Sequence, residues 1–241
     1  MVRRAPLTAA IAFAVLSVLA VVVVPLGPGI ERSGAEVVDH FSAHADMIRL
    51  RALLAAAALL AVVVVIGYAR ERLDGPAGYI FTVGAAVLIA HVGIQLALTS
   101  GMALHASSMD PATARVLSDI AAMCGPLLTV AGLMLAGPVI RAARDGRFPY
   151  WLAVIAAAFA VEQLVQLLTI IGPPGSFIAP GGPMTVYLGG GLLLVFLFAL
   201  GIGTAQPLSD GPEGPPAVYD SGSSDNVPLP TQPRAHRGEP S

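Results

Sequence analysis

Six apolar runs organise the chain, at roughly 7–26, 50–69, 78–100, 117–140, 149–171 and 184–204. Each comes close to the about 20 mainly apolar residues that a helix needs to cross a bilayer. Glycine and proline punctuate the gaps. "LGPG" ends the first run, "RERLDGPAG" separates the second and third, and "ASSMDPATAR" precedes the fourth. "RAARDGRFP" follows the fourth, and "GPPGSFIAPGGP" lies between the fifth and sixth. The pattern predicts an all-α polytopic membrane protein, with a six-helix transmembrane domain over residues 1–204 and a tail over 205–241. The tail is rich in Pro, Ser, Gly and Asp. It has too little apolar surface to offset the entropy of ordering, which predicts disorder. A solubilising tail is favoured over a docking ligand built on "LPTQP".

Composition agrees with this pattern. Hydrophobic residues make up 56% of the 241 positions and charged residues 12%, against about 25% charged in soluble domains. Mean hydropathy is +0.78. The net charge of −2 and the lack of a basic patch interleaved with aromatics give no case for nucleic acid. Cys124 is the single cysteine, lies in an apolar run and reads as a buried, inert thiol. The first run follows Arg3 and Arg4. Its apolar core exceeds the about 7–15 residues of a signal peptide, so an uncleaved signal anchor is expected.

Arginine placement predicts orientation. With the N-terminus inside, Arg3, Arg4, Arg70, Arg72, Arg141, Arg144 and Arg147 lie on the inner side, and Arg32, Arg49, Arg51 and Arg115 on the outer. The positive-inside rule then places both termini in the cytoplasm of a plasma-membrane protein. Tyr150 and Trp151 read as interfacial anchors at the start of the fifth span. Shifting the chain by 71 positions aligns 70–101 with 141–172. Arg70 meets Arg141, Gly75 meets Gly146, Tyr79 meets Tyr150, Gln95 meets Gln166 and Gly101 meets Gly172. Such a match would make two helix hairpins parallel repeats, although Ala-rich helices inflate it.

Ionisable residues inside a membrane are costly and face the bundle interior. His91 and Glu162 each fall about 20 Å into their spans at about 1.5 Å per residue. Each is followed four residues later by a glutamine on the same face, Gln95 and Gln166. The functional reading is a polar core for a small proton-coupled transporter, with His91 as partner to Glu162. The structural reading is interhelical hydrogen bonding, worth about 1 kcal/mol. The latter is favoured because few such residues exist and no multi-residue ion site is visible. Gln163 is expected to point elsewhere.

Other features read as packing. Gly189, Gly190 and Gly191 should allow close helix approach, as should Gly132 with Ala136, and these small-residue faces could also serve protein partners or a homo-oligomer. Pro126 should kink the fourth span. Arg115 and Asp119 are spaced for an i, i+4 ion pair at the mouth of that span.

"EVVDHFSAHADMIRLR", Glu36 to Arg51, is the densest polar stretch. Ser33 with Glu36 forms a capping box. No breaker follows before Gly67, so residues 34–49 are expected to form an outward extension continuous with the second span. Glu36, His40 and His44 are spaced four apart, which could present a metal. H-F-S-A-H lacks the glutamate after the first histidine that a zinc protease requires, and only His105 and Asp110 offer distant ligands. A solvated helix is therefore favoured, with Val37, Val38, Phe41 and Met47 forming its apolar side. A metal-dependent membrane enzyme is the distant alternative. The chain carries no nucleophile elbow, P-loop, zincin helix, cysteine pair or dinucleotide fingerprint.

The polar "AEVVDHFSAHADMIRLRALL" helix, the Arg-bearing loops and "RFPYWLA" before the fifth span resemble multi-pass actinobacterial membrane proteins designated only as a domain of unknown function. The resemblance covers about residues 5–205. It implies six spans and a plasma-membrane address, and carries over no catalytic or binding residue. The expectation is a non-enzymatic, membrane-embedded accessory or packing protein without cofactor, its surroundings the lipid bilayer.

Overall fold

Apolar residues dominate every long helix, and Glu162, Gln163, Gln166 and Thr169 form a buried polar group at the end of one span. The structure is a computed structural model that describes residues 4–24 and 27–207. Arg3 and the tail from 208 onward lie outside the described residues. The elements are α1 (Arg4–Val23), α2 (Gly34–Ala43), α3 (Ala45–Arg70), α4 (Gly75–His105), α5 (Pro111–Leu127), α6 (Thr129–Arg144), α7 (Tyr150–Gln166) and α8 (Gly190–Ala205). A π-helical turn, Met184–Gly189, leads into α8. No strand occurs among the described residues.

Six stretches are long and apolar enough to cross a membrane: Arg4–Val23, Ala45–Arg70, Gly75–Ser108, Pro111–Arg144, Tyr150–Ile171 and Met184–Ala205. They fall on the six runs expected from the sequence. Chain direction alternates, so α2, the start of α3 and the end of α4 share one end of the bundle, called the α2 end below.

The helices pack around a core that includes Phe81, Phe159, Phe196, Leu88, Leu135, Leu152 and Leu200. Phe159 of α7 and Phe196 of α8 stack with ring centroids 4.7 Å apart. α1 belongs to this bundle, resting on α3 and α8. Small residues set the closest approaches. A β-carbon at Gly84 of α4 would stand 2.6 Å from Met134 Cβ of α6, and one at Gly201 of α8 would stand 2.4 Å from Ala10 Cβ of α1. Tyr150 and Trp151 are exposed at the start of α7, where anchors were expected.

The segment expected to run unbroken from residue 34 into the second span is divided. The capping box forms as expected, with Ser33 and Glu36 bonding reciprocally. At His44 the backbone leaves helical geometry, with φ −120° and ψ 18°. Its ring Nδ1 lies 2.9 Å from the His40 carbonyl. The physical reason is burial. α2 packs on α5 rather than on the start of α3. Val37 and Phe41 join Ile48, Met102 and Ala114 in a second apolar cluster. A continuous helix would leave those side chains uncovered. Met47, placed on the same apolar side by the sequence pattern, is exposed.

The fourth span is also divided. Pro126 lacks the amide hydrogen needed to continue the ladder. α5 ends one residue later and α6 resumes at Thr129, so the expected kink is a break at Leu128. The corresponding positions Gly75 and Gly146 of the suggested repeat both take positive φ, 53° and 77°. That conformation favours glycine and turns the chain from one helix toward the next.

Candidate functional site: an intramembrane polar cluster and an apolar cavity

Glu162, Gln163 and Gln166 project from successive turns at the end of α7, and all three are at most 5% exposed. Gln163 Nε2 donates to Glu162 Oε2 at 2.7 Å and to Gln166 Oε1 at 3.3 Å. One amide thus ties all three together, and Gln163 does not point away from Glu162 as expected. Opposing elements make room for these side chains. A β-carbon at Gly132 of α6 would lie 2.4 Å from Gln163 Oε1, and one at Gly189 would lie 2.8 Å from Gln166 Nε2. Thr169 is fully buried beyond them and donates to the Gln166 carbonyl at 2.7 Å.

Three polar atoms around this region are buried without a hydrogen-bond partner: Glu162 Oε1, Thr129 Oγ1 of α6 and Thr185 Oγ1 of the π turn. Thr129 lies one residue beyond the break at Leu128. A β-carbon at Gly125, just before that break, would meet Thr185 Cγ2 at 2.5 Å. The cluster therefore sits where two irregular stretches of backbone, the Leu128 break and the Met184–Gly189 turn, face the end of α7.

Among the four residues expected to form one polar core, the structure joins Glu162 to Gln166 through Gln163. His91 is half-buried on α4 with Nε2 buried and unpartnered, and no hydrogen bond links it to Glu162. α6 packs against both α4 and α7. Gln95 instead lines a cavity of about 540 Å³ between α1, α3, α4 and α8. Glu162, Gln163 and Gln166 are not part of that lining. Thr129 and Thr185 were missed from sequence because a threonine in an apolar run is ordinary, and Gln163 was set aside because adjacent helical positions diverge. The i, i+3 spacing of Gln163 and Gln166 was the available signal.

The outer cluster is used locally. The Glu36 carboxylate accepts from Ser33 N at 2.8 Å and from Arg32 Nη1 at 3.0 Å. The Ser33 amide, then Arg32, hold its pKa below the ordinary carboxylate value. The His40 and His44 rings lie 4.8 Å apart. Burial, and then the charge of His44, push the His40 pKa down. Among the described residues no group of three or more His, Cys, Asp or Glu side chains is placed to hold a metal. Arg115 pairs with Asp119 at 3.0 Å as expected, and also donates to the carbonyls of Ile30 and Arg32. It thereby fixes the α1–α2 connection against α5.

The small-residue features divide. Gly132 and Ala136 are buried inside the chain, and Gly189 receives Gln166. Gly191 has nothing within 4 Å of where its β-carbon would be, and both Gly190 and Gly191 line the cavity. They open space instead of closing it. No protein-family model, curated protein or solved structure matches the chain.

Proposed function

We propose that this is a non-enzymatic integral membrane protein whose intramembrane polar residues hold its helices in register, serving as an accessory or packing element. The observation that carries this reading is the Glu162–Gln163–Gln166 network, closed by Gly132 and Gly189. One amide, that of Gln163, donates to both of its neighbours, and the three residues stand outside the cavity lining. These hydrogen bonds lie within α7 and not between spans as expected, so the cluster meets its neighbours by packing, Gln163 against Gly132 of α6 and Gln166 against Gly189, and this close fit supports a fixed register. The arginine distribution supports a plasma-membrane address with both termini cytoplasmic, which reporter fusions at each loop would test.

A second reading is a small proton-coupled transporter using Glu162. The unpartnered Glu162 Oε1 favours it, as do the two backbone irregularities beside it, a feature of transporter ion sites. One experiment separates the two. In proteoliposomes holding the full chain, Glu162→Gln should leave proton flux at the empty-vesicle level shared by the parent. Gln163→Leu should lower the unfolding temperature. A flux present in the parent and abolished by Glu162→Gln would establish transport and overturn the packing reading.

A further inference from the structure

Arg51 is an anomaly in the bundle. It lies about 9 Å into α3 from the α2 end, at about 1.5 Å per residue. Its side chain is exposed into the cavity between α1, α3, α4 and α8. Among the described residues it has no hydrogen bond or ion pair, whereas Arg70, Arg72, Arg115 and Arg147 all engage carbonyls or carboxylates. A guanidinium left among apolar side chains at membrane depth is costly, and an anion would relieve that cost.

The rest of the cavity grades by depth. Its polar lining, Ser17, His40, Arg51, Gln95 and Thr99, belongs to the half nearer the α2 end. Deeper lining residues include Phe13, Val62, Leu88 and Leu197, all apolar. The volume, about 540 Å³, is that of a small-molecule site. Val18, Val21 and Val22 also line it and are 50%, 59% and 75% exposed on the outside of α1. The mouth is thus apolar and faces sideways, toward where bilayer hydrocarbon would lie. An occupant that matches all three features has an anionic head, a long apolar tail and lateral access.

We propose that this cavity binds one anionic phospholipid of the leaflet at the α2 end, its phosphate on Arg51 and one acyl chain along the floor formed by Phe13, Val62, Leu88 and Leu197. The guanidinium fork suits a phosphate bidentately. The missing side chains at Gly190 and Gly191 leave the channel for the chain. The proposal is independent of the packing role assigned to Glu162.

The test uses the full chain in mild detergent, with native mass spectrometry reading lipid retention. Phosphatidylglycerol and phosphatidylcholine of identical acyl chains are the probes. The parent should retain phosphatidylglycerol about tenfold better, because the choline cation of phosphatidylcholine offsets the phosphate charge that meets Arg51. Arg51→Gln should abolish that preference while leaving the weaker phosphatidylcholine signal. Gly191→Leu, which meets open space and should fold, should reduce retention of both lipids by filling the channel. Equal retention of the two lipids by the parent overturns the proposal without recourse to any variant. So does a preference that survives Arg51→Gln, or retention of palmitate with no retention of either phospholipid.

Discussion

Arg72 and Arg147 hold each other's backbone. Arg72 Nη1 donates to the Arg147 carbonyl at 3.1 Å, and Arg147 Nη1 donates to the Arg72 carbonyl at 3.4 Å. Arg72 also donates to the Thr204 carbonyl at 2.8 Å and to that of Gln206, and it stands over the Phe148 ring. Arg147 pairs with Asp74. One guanidinium thus satisfies the last carbonyls of α8 while tying the α3–α4 loop to the α6–α7 loop. Arginine at a helix C-terminus is also favoured by the helix dipole.

Arg72→Ala should therefore destabilise the folded chain by about 2 kcal/mol, the loss of charged hydrogen bonds to buried acceptors. Arg147→Ala should cost less, because Arg72 keeps its bonds at Thr204 and Gln206. The double variant should come close to the sum, since each guanidinium donates to a backbone carbonyl that alanine at the other position keeps. Reversible unfolding in detergent, followed by circular dichroism, would measure all three. A large departure from additivity would show that the two side chains are coupled beyond these backbone bonds.

The α1–α8 contact gives a steric prediction. A β-carbon at Gly201 would overlap Ala10, with the Pro6 carbonyl 3.2 Å away, and neither the Ala10 side chain nor the Pro6 backbone can rotate aside. Gly201→Leu should cost at least about 1–3 kcal/mol, as overpacking does. Gly191→Ala, on the same helix but facing open space, should be neutral or stabilising by up to about 1 kcal/mol, from helix propensity alone. Comparing the two unfolding midpoints isolates packing from propensity. A similar loss at both positions would mean that α8 does not depend on the Ala10 contact.

How much of this was legible beforehand follows from what each pattern encodes. Apolar runs of bilayer length fix where spans lie, and all six were found by length alone. The capping box was legible because Ser33 and Glu36 are local in sequence. The break at His44 was not, because no residue there is a helix breaker. The tertiary pull of Val37 and Phe41 toward Ala114 and Met102 bends the chain. The same limit applies inside the bundle. Helical spacing placed Glu162 with Gln166, but the side-chain conformation of Gln163, packed over Gly132 of α6, brings the adjacent glutamine to the carboxylate instead. Depth alone suggested His91 as partner to Glu162, yet equal depth is not adjacency. The three consecutive glycines looked alike, although one receives Gln166 and two border a cavity.

The buried amide of Gln163 carries its own prediction. Gln163→Leu keeps the volume roughly but removes the donor to Glu162 Oε2 and Gln166 Oε1, leaving a buried carboxyl with no bond at either oxygen. The cost should be about 1–3 kcal/mol. Glu162→Gln should cost less, because an amide oxygen still accepts from Gln163 and the side-chain volume is kept. Unfolding midpoints of the two variants in the same detergent should therefore rank Gln163→Leu below Glu162→Gln. The reverse order would mean that Glu162 makes stabilising contacts that Gln163 does not mediate.

Acid should undock α2 in two steps. The His40 pKa is depressed in the folded chain, by burial and then by His44. Below about pH 6.5 the unfolded form takes up a proton that the folded form resists. Stability supplied by neutral His40 is thus complete above that pH and lost as pH falls toward the folded value. The Glu36 pKa is also depressed, by the Ser33 amide and by Arg32. Its contribution is complete above the ordinary carboxylate pKa and is lost as pH falls through the lower folded value, removing the capping box. Amide hydrogen exchange in α2 should accelerate first across the histidine range and again across the carboxylate range, with α7 and α8 less affected. His40→Gln should flatten the first step alone, and Glu36→Gln the second. A single step at carboxylate pH in the parent would show that His40 stays neutral without costing α2 its place on α5.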